Sequence, residues 1–412
     1  MKSASQSIIN SFVLLTLLNT LAASLIYGIN TLFLLDAGLT NTQAFAANAF
    51  FTLGLVLFEV PTGIIADSMG RRKSYLLGTI TLSISTLLYL FAWQTHAVFC
   101  VWAVTSILLG LGFTFFSGAT EAWLVDALHF TEFKGDLESV FAKGQVTGGI
   151  AMLVGSVAGG YIAQITNLGV PYIVRAVILG INFVAAFIIM RDLGFSPTKS
   201  ESLMKSMKQI FIVSAKHGFK NPDIRWVMIA GIFSTGVSFY AFYALQPYLL
   251  QLYGDEKAYG IAGLAAAIAA GAQIVGGLTF PFVRKLFHKR ISLLLTGVVL
   301  SSLLLLGIGI TSNFWIVIIF IVLWGLVFAA TLPVRQAYLN DRIPSTERAT
   351  VLSFDSLVGS SGGIVIQPIL GKTADVWGYP LSYGVSALIQ LIAFPFTLLA
   401  RRNKSLSDPF KT

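Results

Sequence analysis

Twelve long apolar stretches follow one another along this chain of 412 residues. A helix needs roughly 20 apolar residues to cross the ~30 Å hydrocarbon core of a bilayer. Only 11% of the residues are charged, against about a quarter in a soluble domain, so a soluble fold is excluded. The sequence predicts an all-α integral membrane protein with twelve transmembrane helices. Their approximate bounds are 10–35, 43–66, 74–94, 97–127, 139–163, 167–190, 225–253, 257–283, 291–311, 313–340, 348–371 and 379–400.

The distribution of basic residues predicts the orientation of these helices. With the N-terminus inside, 23 of the 27 lysines and arginines fall in the inner segments, as expected for the cytoplasmic side of a membrane protein. Both termini are therefore expected in the cytoplasm, and "inner" and "outer" refer below to this predicted orientation. The formal net charge of +9 follows from the same bias, so nucleic acid is not expected as a partner. The predicted location is the plasma (inner) membrane of a bacterial-type cell.

A long stretch without a span divides the chain into four predicted parts. These are a six-helix bundle at 1–191, a cytoplasmic linker at 192–222, a second six-helix bundle at 223–402 and a cytoplasmic tail at 403–412. In the linker, apolar residues at helical spacing lie opposite lysines, which predicts an amphipathic helix on the inner membrane surface. Its apolar positions are Leu203, Met204, Met207, Ile210, Phe211 and Val213.

An internal repeat supports the division into two halves. Residues 110–126 align without gaps on residues 325–341 at a constant offset of 215, and Gly, Leu, Phe, Ala, Leu and Asp recur. Asp126 is thereby aligned with Asp341. Two parallel halves related about an axis along the membrane normal are typical of transporters whose central site has alternating access.

A short polar loop joins the second and third spans. It reads Gly63-Ile-Ile-Ala-Asp67-Ser-Met-Gly70-Arg71-Arg72-Lys73. This segment resembles the G-x-x-x-D-x-x-G-R-R/K signature of the major facilitator superfamily, at the place where that family carries it. The resemblance covers essentially the whole chain and implies the major facilitator fold, in which two pseudo-symmetric six-helix bundles enclose a central cavity.

The resemblance also implies an inner gate, which closes the cytoplasmic side when the cavity opens outward. Its members would be Gly63, Asp67, Gly70, Arg71 and Asp126, the last being the acid at the inner end of helix 4. Gly63 is expected to permit a close helix contact, and Gly70 a tight turn.

The chain resembles the drug/proton antiporter branch of the superfamily, with two departures. The helix 4 arginine of that branch is absent from Ser106–Gly110. Helix 5 reads Gly155-Ser-Val-Ala-Gly159-Gly160, which keeps the glycines of the antiporter motif and lacks its proline.

Four of the ionisable side chains within predicted spans are singled out, since each costs at least about 2.5–3.5 kcal/mol in hydrocarbon and is a functional candidate by default. Glu59, Glu121 and Asp355 are the proton-coupling candidates. The resemblance places Glu121 and Arg335 on opposite cavity walls. They are interpreted as a gate pair; the alternatives are direct binding of a substrate anion and a proton, or a static buried pair. For Glu59 the alternative is a structural hydrogen-bond acceptor.

The candidate substrate cavity is defined by polar and aromatic residues on helices 1 and 7, which line the cavity in the family. For the helix 7 aromatics the alternative is an outer interfacial belt. The candidates are Asn19, Tyr27, Tyr240, Tyr243 and Gln246.

The predicted function is secondary active transport of a small organic solute by a rocker-switch mechanism. Proton-coupled efflux of drug-like or amphipathic compounds is favoured, because the cavity candidates are aromatic and carry few charges. The alternatives are a proton-coupled importer of a specific nutrient, a non-transporting membrane sensor and a lipid scramblase. Neither a Walker motif nor a catalytic triad occurs in the sequence, so no enzyme or cofactor is expected. The single cysteine and the four scattered histidines form no cluster, so no metal is expected either. The protein is predicted to be a monomer in contact with lipid.

Overall fold

The computed structural model is all-helical over the residues that it describes, which are 2–197, 212, 218–222, 224–343 and 348–402. The six apolar positions of the predicted amphipathic helix and the tail at 403–412 lie outside these residues. The helices are α1 Lys2–Tyr27, α2 Asn30–Asp36, α3 Asn41–Met69, α4 Arg71–Gln94, α5 Phe99–Thr114, α6 Ala119–Phe130, α7 Leu137–Ile165, α8 Val170–Ile189, α9 Arg225–Tyr253, α10 Tyr259–Val283, α11 Arg290–Ile310, α12 Phe314–Asn340 and α13 Arg348–Arg402.

Eleven helical stretches among the described residues are long and apolar enough to cross a membrane. The last of them, Val351–Arg401, has 51 residues. At 1.5 Å per residue it would extend far beyond the ~30 Å of hydrocarbon. Its backbone leaves the helical conformation at Gly378, where φ is 80°. Divided there, it supplies two crossings, and the twelve predicted spans are confirmed.

Two of these spans are interrupted, which the hydropathy pattern did not predict. In the first span, α1 ends at Tyr27 and α2 begins at Asn30. In the fourth span, α5 ends at Thr114 and α6 begins at Ala119, after Gly118 in the left-handed conformation (φ 66°). A glycine adopts that conformation without the steric cost of a Cβ.

The chain forms two compact units, each of which is built from three separate segments of the sequence. Unit 1 contains Met1–Gly38, Phe50–Met207 and Lys257–Ala267. Unit 2 contains Leu39–Ala49, Lys208–Glu256 and Ile268–Thr412. The first turns of α3 therefore belong to unit 2, and the first turns of α10 belong to unit 1.

Glycines bring helices into close contact in both units. In unit 1, a Cβ at Gly159 of α7 would lie 1.8 Å from the carbonyl oxygen of Leu25 in α1. In unit 2, a Cβ at Gly362 of α13 would lie 1.9 Å from the carbonyl oxygen of Ile232 in α9. Backbones that approach this closely gain van der Waals contact, which is a main source of helix association in lipid.

Candidate functional site

The signature loop is a tight turn at Gly70 between α3 and α4. Gly70 has a φ of 109°, which residues with a Cβ rarely adopt. A Cβ at this position would also lie 2.4 Å from Oδ2 of Asp192. Oδ1 of Asp192 accepts the backbone N–H of Arg72 at 2.8 Å, one of the donors that the first turn of a helix leaves without an intrahelical partner. Asp192, which follows α8, therefore fixes the start of α4.

Arg71 lies between two carboxylates of unit 1. Its Nη1 donates to Oδ1 of Asp67, and its Nε lies 3.9 Å from Oδ2 of Asp126. The structure thus brings together three residues of the predicted inner gate. Gly63 does not make the close helix contact expected of it, because within the described part of the chain a Cβ there would meet no atom within 4 Å.

Two further groups hold Arg72 in place. Its Nη2 donates to the carbonyl oxygen of Phe187 at 2.6 Å, and its guanidinium carbon lies 4.9 Å from the centre of the Phe187 ring. Sequence analysis identified neither Asp192 nor Phe187 as part of the loop site. The sequence signal that could have identified Asp192 is its position directly after the sixth predicted span, on the same inner side as the basic loop.

Unit 2 contains an ion pair that corresponds, through the repeat, to Arg71 and Asp126 of unit 1. Nη1 of Arg290 donates to Oδ2 of Asp341 at 2.5 Å. Asp341 and Asp126 are aligned in the repeat, and their arginine partners are the first residues of α11 and α4, respectively. The two halves therefore place the same type of pair at matching helix ends.

Side chains from neighbouring helices satisfy the carbonyl groups exposed by the break in the fourth span. The hydroxyl of Thr62 donates to the carbonyl oxygen of Thr114 at 3.1 Å. The hydroxyl of Ser74 donates to the carbonyl oxygen of Phe115 at 2.8 Å. Irregular backbone within a membrane is tolerated where it is buried in protein or lines a water-filled cavity.

Two of the predicted acids lie at this break. Oγ of Ser117 donates to Oε1 of Glu59 at 2.5 Å, and Glu121 lies in the first turn of α6. Ser117, Gly118 and Glu121 are exposed on the surface of the chain. Because a carboxylate facing lipid is costly, this polar surface is suited to a water-filled pathway. We define the helix-break site as Glu59, Ser117, Gly118 and Glu121.

Arg335 and Asp355 form a two-pronged ion pair in unit 2. Nη1 of Arg335 lies 2.7 Å from Oδ2 of Asp355, and Nη2 lies 2.6 Å from Oδ1. The side chain of Asp355 is 7% exposed and that of Arg335 23%. Gly231 of α9 makes room for the guanidinium, since a Cβ there would lie 2.5 Å from Nη2. Arg335 thus has Asp355 as a carboxylate partner, which the sequence analysis did not predict.

The predicted cavity residues differ in their exposure. Tyr240 is fully buried in unit 2, where its hydroxyl pairs with Oγ of Ser382, and Gln246 is 2% exposed. Asn19, Tyr27 and Tyr243 are partly exposed. The structure therefore leaves these last three as accessible members of the predicted set.

A buried cation that sequence analysis did not select lies in unit 1. Arg175 of α8 is 1% exposed. Its Nε donates to the hydroxyl of Thr86 at 3.1 Å, and its guanidinium lies 5.8 Å from the ring centre of Phe113. Arg175 thus connects α8 with α4 and α5. The α5 helix contains Ser106–Gly110, the segment that lacks the arginine of antiporters.

The family model described as Major Facilitator Superfamily matches residues 12–290 and 259–411, which together cover most of the chain. The chain belongs to the major facilitator superfamily. It is therefore a multi-pass membrane protein of a transporter family, and the expected fold is confirmed.

Solved structures with the major facilitator fold resemble this superfamily member over nearly its whole length. The nucleoside transporter NupG has a TM-score of 0.78 at 11% identity, covering 95% of this chain and 98% of NupG. A POT family transporter in complex with a thioalcohol-conjugated peptide has a TM-score of 0.71 at 13% identity, with coverage of 95% and 94%. An inward-facing, unoccupied bacterial homologue of the human lysosomal transporter Spinster has a TM-score of 0.72 at 16% identity, with coverage of 100% and 99%. A comparison with curated proteins finds no match.

Replacing Gly70 by alanine should destabilise this major facilitator protein by about 1–3 kcal/mol. The new Cβ would collide with Asp192 and would require a strained backbone conformation. Gly63→Ala is the matched control, because Gly63 lies seven residues before Gly70 and its Cβ would meet no atom of the described residues within 4 Å. The stability of the two variants is compared by the midpoint of thermal unfolding in detergent. Equal midpoints would show that the turn at Gly70 tolerates a side chain.

Proposed function

We propose that this protein is a secondary active transporter that moves a small organic solute across the plasma membrane by rocker-switch alternating access, coupled to protons. The observation that carries the proposal is the helix-break site, where a broken span presents a serine hydroxyl to Glu59 within an apolar segment. Transporters of several folds bind coupling ions and substrates at discontinuous helices. The family membership supports transport, and the two acids at the break support protons as the coupling ion.

The proposed role of Glu59 is to take up and release the coupling proton. As a carboxylate it accepts the hydrogen bond from Ser117. Once protonated it can donate a hydrogen bond as well as accept one, so the direction of its hydrogen bond with Ser117 can reverse. A neutral acid also costs less in an apolar environment. Proton binding at Glu59 can therefore change the geometry of the break, and Glu121 in the same site is the second candidate.

Asp355 is the third proton-coupling candidate, and it is bound more strongly to its partner than Glu59 is. Both of its oxygens accept hydrogen bonds from Arg335. Protonation would weaken this two-pronged ion pair, which is among the stronger hydrogen-bonded arrangements in proteins. We therefore assign the Arg335–Asp355 pair first to holding α12 and α13 together, and Glu59 and Glu121 first to coupling.

Two substrate classes follow from different observations. Outward movement of drug-like or amphipathic compounds is proposed first, because the cavity candidates are mostly aromatic and carry few charges. Inward movement of a polar nutrient is the second candidate, since the similar structures include a nucleoside transporter and peptide transporters.

The experiment that tests transport uses purified protein in liposomes with an imposed proton gradient. Panels of amphipathic cations and of nucleosides and small peptides are followed by radiolabel or fluorescence. Flux that follows the sign of the gradient and disappears with a protonophore is expected for one panel. Flux of lipid between leaflets without solute flux would instead identify a scramblase, and no flux of either kind would favour a sensor.

Weakening the inner gate should raise the access of a cysteine placed in the inner cavity. Arg71→Ala removes a group that lies beside both Asp67 and Asp126. Since partly exposed ion pairs contribute up to about 1 kcal/mol, we expect labelling by a thiol reagent to rise about fivefold and transport to fall. Asp67→Asn should have the same direction of effect. Lys73→Ala is the matched control, as this exposed neighbour lies in the same basic run. Equal labelling in the control and in both variants would contradict the gate.

A further inference from the structure

The outer end of α3 is bound by a carboxylate from the other half of the sequence. Oδ1 of Asp375 in α13 accepts the backbone N–H of Asn41 at 2.9 Å, and Oδ2 accepts that of Thr42 at 2.8 Å. The hydroxyl of Thr42 donates to Oδ2 as well. All three residues belong to unit 2. Asp375 thus receives three hydrogen bonds from the N-terminus of α3, where the helix dipole also favours an anion.

Packing reinforces this contact. The hydroxyl of Tyr379 donates to Oδ1 of Asn41. A Cβ at Gly371 would lie 2.9 Å from the carbonyl oxygen of Asn41, so the two backbones touch. Phe45, one turn further along α3, is fully buried, and its ring centre lies 4.6 Å from that of Tyr240. The first turns of α3 are therefore both hydrogen-bonded and packed within unit 2.

The helix does not need Asp375 in order to begin at this position. The backbone N–H of Thr40 donates to Oε1 of Gln43 at 3.0 Å, and the N–H of Gln43 donates to the hydroxyl of Thr40 at 3.3 Å. This reciprocal pair is a local N-terminal cap. Because α3 caps itself, the hydrogen bonds to Asp375 serve to hold two sequence halves together rather than to form the helix.

Unit 1 contains a neutral counterpart at the start of α10. Oε1 of Gln164 in α7 accepts the backbone N–H of Gly260 at 2.9 Å. A Cβ at Gly263 would lie 2.4 Å from the carbonyl oxygen of Ser156, so the backbones again touch. We call the Asp375 and Gln164 contacts the outer clasps. The first has a charged acceptor and three donors, and the second has an amide acceptor and one donor.

We infer that the outer clasps are the contacts that must open for outward access, and that Asp375 sets most of the resistance to opening. This inference rests on the proposed alternating-access function, because a rocking transporter separates its halves on one side at a time. Hydrogen bonds to an ionised acceptor are roughly twice as strong as neutral ones. The Asp375 clasp therefore resists separation more than the Gln164 clasp.

The test measures labelling of a buried cysteine behind the Asp375 clasp. Ala44 is fully buried one turn into α3, and Ala44→Cys in a Cys100→Ser background reports opening to a membrane-impermeant maleimide added outside. We expect Asp375→Ala to raise the labelling rate about tenfold, and Asp375→Asn to raise it less, because the amide oxygen still accepts a hydrogen bond. Glu256→Gln is the control, since it removes an exposed carboxylate from the outer loop before α10.

The outcomes separate the inference from the proposed function. Labelling in Asp375→Ala equal to that in Glu256→Gln would overturn the inference. If Asp375→Ala does not assemble, Thr42→Val removes one of the three donors, and its labelling must still exceed the control. Raised labelling in a protein that transports no solute would reject the proposed function and keep the clasp. Solute flux with unchanged labelling would reject the clasp alone.

Discussion

Replacing Arg335 by glutamine should lower the free energy of unfolding by about 3 kcal/mol or more. The change leaves the Asp355 carboxylate, which is 7% exposed, without the two charged donors that offset its desolvation. The midpoint of thermal unfolding in detergent should fall clearly. Arg290→Gln is the matched control, because its partner Asp341 is 35% exposed and water can replace the lost donor.

The double variant Arg335→Gln with Asp355→Asn should unfold at a higher temperature than either single variant, because no buried charge is left alone. A double variant as unstable as the sum of the two single ones would show that the residues are not a pair. Glu121→Gln tests the partner expected from the sequence. If Asp355 is the partner of Arg335, the change in unfolding free energy caused by Glu121→Gln should add to that caused by Arg335→Gln.

The second large effect is expected at Glu59, where glutamine should abolish the dependence of transport on the proton gradient. The amide can still accept the hydrogen bond from Ser117 but cannot take up a proton. Gradient-driven transport should fall to the level measured without a gradient, and its pH profile should become flat, while exchange of solute between equal pools continues.

Ser117→Ala is the control for Glu59→Gln, because it removes the hydrogen bond and keeps the titratable acid. It should retain coupling with a shifted pH profile. Glu121→Gln is measured in parallel. If both glutamine variants keep full coupling and an unaltered pH profile, the coupling proton binds elsewhere, and Asp355 is the next residue to change.

The spans could be predicted from the sequence because apolar length alone decides them. The predicted span at 225–253 coincides with α9, and most other bounds agree within a few residues. The breaks at 28–29 and 115–118 could not be predicted, since glycines within apolar runs are also common in continuous membrane helices. Whether a glycine interrupts its helix depends on neighbours such as Thr62 and Ser74, which satisfy the freed carbonyl groups.

The candidate site could be predicted only in part. Asp67, Arg71 and Asp126 were found because a recognisable motif and the repeat identify them. Asp192 was not predicted, because it follows a different helix, α8. No regular spacing in the sequence connects it to Gly70. Arg335 and Asp355 are separated by 20 residues on successive helices, and only the packing of α12 on α13 brings their side chains together.

The segments exchanged between the two units have a consequence for biogenesis. A ribosome completes the first six spans before it synthesises residues 257–267, yet those residues are part of unit 1. In the finished protein Gly28 and Gly160 both face Gly263, and a Cβ on either would lie within 3 Å of its Cα. Until the eighth span leaves the translocon, that glycine surface must be covered by lipid or by a chaperone. The glycine contacts of unit 1 are thus completed only after the eighth span has been inserted.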